Sequence, residues 1–113
     1  MTLPNEAFFG WYNLGKVEGL STCKGLGFSA FESTAIGYVN GEGHYLVDIG
    51  DCEYVGAEAF AYCHSLQSIS WPSNLSIIPE GCFSECVSLT EVKNIDKVAG
   101  ISAYAFYSCN NLG

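Results

Sequence analysis

Ala59-Phe60-Ala61-Tyr62-Cys63-His64-Ser65-Leu66-Gln67-Ser68-Ile69 decides the fold, because its apolar residues return at matching offsets along the chain. A small residue followed by Phe recurs at Phe8, Phe31, Phe60, Phe83 and Phe106. Five positions before each Phe stands an apolar opener: Leu3, Leu26, Val55, Ile78 and Ile101, spaced by 23, 29, 23 and 23 residues. A period of this size signals a solenoid, in which a residue is explained by stacking before it is explained by chemistry.

Further columns follow from the same alignment. Three residues after the Phe come Trp11, Thr34, Cys63, Cys86 and Cys109, a spacing that puts both positions on one face of a short helix. A Leu column holds Leu14, Leu66, Leu89 and Leu112, and three residues beyond it lie Val17, Ile69 and Val92. The second copy joins through Ile36 and Val39 if one residue is deleted after Phe31. Its spacing of 29 exceeds 23 by six, so with the deletion seven inserted residues must be placed. The glycines of Asn40-Gly41-Glu42-Gly43-His44-Tyr45 favour a protruding turn there. A last column, three residues before each opener, holds Cys23, Cys52, Leu75 and Val98.

A unit of about 23 residues carries too few apolar side chains to offset the entropy of ordering it, so neighbouring units must complete its core. Gln67-Ser68-Ile69-Ser70-Trp71 and Thr90-Glu91-Val92-Lys93-Asn94 read as short strands, closed by turns at Pro72-Ser73-Asn74 and Asp96-Lys97. The expected fold is α/β: a right-handed solenoid of about five stacked repeats, with short parallel strands and one or two helical turns over Glu58–Cys63 and its equivalents.

The Ala-Phe, Cys-x-x-Leu-x-x-Ile pattern of residues 59–69 resembles the BspA-like class of bacterial-type leucine-rich repeats, and the resemblance runs from Leu3 to Leu112. The first copy departs from it with Trp11 in place of Cys, and the second with the shortened Ser33-Thr34-Ala35-Ile36. Family resemblance implies a cell-surface or secreted adhesion and interaction module. The motifs themselves point to no cofactor and no catalysis: no nucleophile faces a base, and Gly41-Glu42-Gly43 lacks the lysine and Ser/Thr of a phosphate loop.

Residues 1–113 read as a single domain. The first unit starts at Leu3 and the fifth stops halfway, at Gly113, with no recognisable cap at either end. Solenoids are normally closed by polar capping units, so the expectation is a fragment or interior domain of a longer repeat protein, with end-to-end self-association possible. No stretch approaches the roughly 20 apolar residues of a membrane span, and the first residues lack the pattern of a signal peptide. The net charge of −8, from four lysines against twelve carboxylates, argues against nucleic acid as a partner and suits a basic one.

Every one of the six cysteines stands in a column otherwise filled by core residues, which favours buried thiols over zinc or disulfides. A Cys23–Cys52 bridge between neighbouring rungs is the one conceivable pairing, and Cys82 with Cys86 the one pair able to converge on a helix face. Cys63 and His64 are adjacent in sequence, but the first should face the core and the second solvent, which is no nucleophile–base geometry. His44 belongs to the inserted loop. Asp48, Asp51 and Glu53 form an acidic run without EF-hand spacing. Asn74-Leu75-Ser76 matches a glycosylation sequon, a common pattern.

What remains is the strand surface. Side chains between the inward columns should form a continuous face of Lys16, Glu18, Tyr38, Asn40, Gln67, Ser68, Ser70, Glu91 and Lys93, with Tyr38 as its anchor. Such a face suits a protein partner, whether a host or surface protein or a neighbouring subunit of an assembly. A structural spacer in a larger particle and a carbohydrate-binding module using Tyr38, Tyr45 and Tyr12 are the alternatives.

Overall fold

The computed structural model describes residues 1–112, which wind into a coil held together by two sets of stacked parallel strands. In the first set, β1 (Thr2–Leu3), β2 (Gly25–Leu26) and β6 (Tyr54–Val55) pair in that order, with Leu3 opposite Leu26 and Leu26 opposite Val55. β8 (Ile77–Ile78) and β10 (Gly100–Ile101) continue the theme, with Ile78 opposite Ile101. The opener column is thus a strand column, which the sequence pattern did not reveal because each strand has only two residues. In the second set, β5 (Leu46–Asp48), β7 (Ser68–Ser70) and β9 (Glu91–Lys93) stack with Val47, Ile69 and Val92 in one row. These three point inward and are buried, while their neighbours on each strand point out, as the two-residue period of a strand requires.

The expected short helices are not formed. Among the described residues the one helical element is a single 3-10 turn, Leu20–Thr22. In their place each coil carries stacked turns with left-handed backbone at two repeating positions: Glu6, Ser29, Glu58, Gly81 and Tyr104, then Gly10, Ser33, Tyr62, Glu85 and Ser108. Left-handed φ costs a non-glycine residue about 1–2 kcal/mol. Hydrogen bonds between coils offset it. Glu58, Phe60 and Tyr62 donate their N–H groups to Glu80, Cys82 and Ser84 of the next coil at 2.9, 3.0 and 2.7 Å. The alternate N–H groups close local turns, Ala61 to Glu58 and Cys63 to Phe60. A short α-helix would leave its first four N–H groups without partners and turn the later ones back on its own carbonyls, so adjacent coils would be joined there only by side chains.

The Phe column forms one stacked row. Centroids of Phe8, Phe31, Phe60, Phe83 and Phe106 follow one another at 5.5, 5.6, 5.8 and 5.5 Å, with planes within 20°. The three middle rings are fully buried and the two outer ones half-buried. Trp11 covers Phe8 edge-on at 5.3 Å. Trp71, read as the end of a strand, is fully buried against Phe83 and donates its Nε1–H to the Leu75 carbonyl at 3.0 Å.

The second coil departs from the expected alignment. Gly37 donates to the Gly15 carbonyl and so sets Ile36 level with Leu14, as the one-residue deletion implied. The next column, however, is filled by Val47 rather than Val39. The inserted segment begins earlier than Asn40, as an antiparallel hairpin of β3 (Tyr38–Val39) and β4 (Gly43–His44). Gly41 and Gly43 supply its left-handed turn at φ 89° and 92°. Tyr45 N–H bonds the Gly37 carbonyl at 3.0 Å, closing the excursion so that the chain re-enters the coil at Leu46.

Candidate functional site

The outward residues of β5, β7 and β9 make a continuous face, with Leu46, Ser68 and Glu91 in one row and Asp48, Ser70 and Lys93 in the other. The first coil adjoins it through Val17, Gly19, Leu20 and Ser21, which share a cleft of about 160 Å³ with Tyr45, Leu46 and Asp48. Lys16 and Glu18 of that coil are exposed and paired at 3.8 Å. Glu91 and Lys93 pair likewise at 3.6 Å. Pairs this exposed are worth little to stability and leave both charges available to a partner.

Of the residues expected on this face, Ser68, Glu91 and Lys93 lie on it, while Lys16 and Glu18 belong to the first coil beside it. Ser70 is nearly covered, because Asn94 donates to its hydroxyl at 3.0 Å. Gln67 sits just before β7, half-buried, and its carbonyl accepts from Thr90. Tyr38 and Asn40 do not belong to the stack: both lie in the hairpin, where the Tyr38 ring packs edge-on against His44 at 5.0 Å. Leu46 and Asp48 take their rows instead. The missed residues had only a weak signal: Val47-Asp48 matches the apolar-polar step of Ile69-Ser70, but the apolar Leu46 breaks the alternation, and a single deletion offered Val39 a cheaper alignment. Asp48 also accepts from the Gly50 N–H at 2.8 Å, which fixes the turn that leaves the strand.

The cysteines are structural. Cys63, Cys86 and Cys109 donate their thiols to the carbonyls of Phe31, Phe60 and Phe83 in the preceding coil, each at 3.0 Å. Thr34 fills the same column and donates to Phe31 at 2.9 Å. Burial pushes Cys63 up to about 12, and burial with the neighbouring Cys23 thiol pushes Cys52 up to about 12. Burial also raises Cys82, Cys86 and Cys109. All six are free thiols, and the five that burial holds protonated, Cys52, Cys63, Cys82, Cys86 and Cys109, are poor nucleophiles. His64 is exposed beside Tyr62 while Cys63 faces the core, so the two do not act together. Among the described residues no three His, Cys, Asp or Glu side chains gather at metal-binding distance.

Stacked coils, a Phe row and a thiol ladder define a leucine-rich-repeat solenoid. Residues 1–113 match the family model described as BspA type leucine rich repeat region, and the chain belongs to that family. The match counts six copies where the columns give five, and the five opener strands bound four complete coils. No curated protein and no solved structure matches the chain.

Proposed function

We propose that the chain is a non-catalytic protein-interaction or adhesion module that meets its partner on the face of β5, β7 and β9. The observation that carries this is the in-register row of outward residues, Leu46, Ser68 and Glu91 beside Asp48, Ser70 and Lys93, a mixed apolar and charged surface on a rigid scaffold. Extended faces of this kind are the usual binding surfaces of solenoids. Display at the cell surface or after secretion, as family membership suggests, accords with this role.

Purified surface and matrix proteins presented to the immobilised chain test it. At least one should bind, and Leu46→Asp combined with Glu91→Lys should weaken binding at least tenfold, about 1.4 kcal/mol or more, with the melting temperature nearly unchanged. A spacer or assembly role is the second reading. It is favoured by the apolar side chains of the last coil, where Ile95 and Ile101 are exposed and share a cleft of about 330 Å³ with Phe106 and Leu112. Absence of any partner together with concentration-dependent self-association would establish that reading instead.

A further inference from the structure

The turn segments carry a second feature, separate from the strand face. One column of the repeat holds Tyr12, Ala35 and His64 on three successive coils, and the column two residues earlier holds Gly10, Ser33 and Tyr62. The middle coil thus presents two small residues between aromatic side chains on either side. The result is a notch of about 300 Å³ lined by Tyr12, Ser33, Ala35, Tyr62, His64 and Ser65. Tyr12 is 76% exposed and Tyr62 46%. The Tyr62 ring rests edge-on to His64 at 6.3 Å. Its backbone is left-handed, at φ 59°, a conformation uncommon for so bulky a residue. His44 of the hairpin hydrogen-bonds the carbonyl of Ser65, one of the lining residues, at 3.1 Å.

We propose that this notch binds one residue of a neutral pyranose oligosaccharide. Two coil spacings, about 10 Å, separate the Tyr12 and His64 positions, enough for a saturated six-membered ring in contact with both walls. A pyranose offers apolar C–H faces suited to aromatic rings and a rim of hydroxyls, and the lining answers with two phenols, two serine hydroxyls and an imidazole. No carboxylate or ammonium lines the notch. The net charge of −8 disfavours an anionic ligand. Small sites combine apolar contact with a few placed polar groups in this way.

Isothermal titration of the chain with chitotriose, cellotetraose, maltotetraose and mannotriose, with acetylcholine as a cationic comparator, tests the assignment. At least one sugar should bind with a dissociation constant below about 10 mM. Tyr12→Ala and the notch-filling Ala35→Leu should each weaken binding at least tenfold, whereas Tyr107→Ala, an exposed aromatic of the last coil, should leave it unchanged. Unchanged melting temperatures keep a loss of binding from being a loss of fold. Capture of a glycoprotein should disappear when its glycans are removed enzymatically. The proposal is overturned if no sugar binds, if acetylcholine alone binds, if binding survives Ala35→Leu, or if capture persists after deglycosylation.

Discussion

The thiol of Cys86 donates a 3.0 Å hydrogen bond to the carbonyl oxygen of Phe60, one coil back. That carbonyl already accepts the Cys63 N–H that closes its own turn, at 3.3 Å. One acceptor therefore joins the local turn to the neighbouring coil, and the same bracket recurs from Cys63 to Phe31 and from Cys109 to Phe83. The Cys column is a set of inter-coil ties rather than a reactive centre. Cys86→Ala should cost about 1–2 kcal/mol, from the lost bond and the small cavity left behind, measured by urea unfolding.

The Phe row should respond by position. Phe83 is fully buried between Phe60 and Phe106, whereas Phe106 is only half-buried. Phe83→Ala should cost about 3–5 kcal/mol and Phe106→Ala clearly less. Equal losses in a denaturant series would contradict the packing.

Left-handed backbone makes Gly81 a sensitive site. A Cβ there would meet the Glu58 Cγ at 2.8 Å, and φ is 62°. Gly81→Ala should destabilise by about 1–2 kcal/mol. In a Glu58→Gly background the loss should shrink, since the contact is gone and only the backbone cost remains. A double-mutant cycle reads the difference.

Tyr45 ties the hairpin to the first coil by donating its hydroxyl to the Gly15 carbonyl. Tyr45→Phe should cost about 1 kcal/mol. Burial, with the Glu18 carboxylate adding to it, raises the phenol above its usual 10.0. The folded state thus favours the protonated form, and this contribution is complete below pH 10 and fades as the pH rises through the higher folded value. An ultraviolet titration should show one tyrosine ionising after the exposed ones, and that late step should vanish in Tyr45→Phe.

The Cys52 and Cys63 thiols follow the same sign. Cys52 and Cys63 lie near 12 against an ordinary 9.0, so their contribution to stability is whole below pH 9 and declines through pH 12. Native protein at pH 8 should react slowly with a disulfide reagent, half-buried Cys109 first, and denaturant should release all six thiols. Rapid reaction of Cys63 in the native state would contradict its placement.

The sequence by itself determined the solenoid, its phase and most of its core. Phe, Cys and Leu recur in columns, and a column can be filled by one residue type only if every coil offers the same surroundings. Register follows, as Leu3, Leu26 and Val55 confirm by facing one another. Tertiary structure alone decided how the turn segments satisfy their backbone. The spacing of Phe60 and Cys63 suits a helix, yet alternate N–H groups turn to the next coil, a choice set by a neighbour absent from any single repeat. It also decided the course of the second coil. Val39 and Val47 are equally apolar, and only the hairpin closing on Gly37 brings Leu46 and Asp48 to the strand face and carries Tyr38 and Asn40 away.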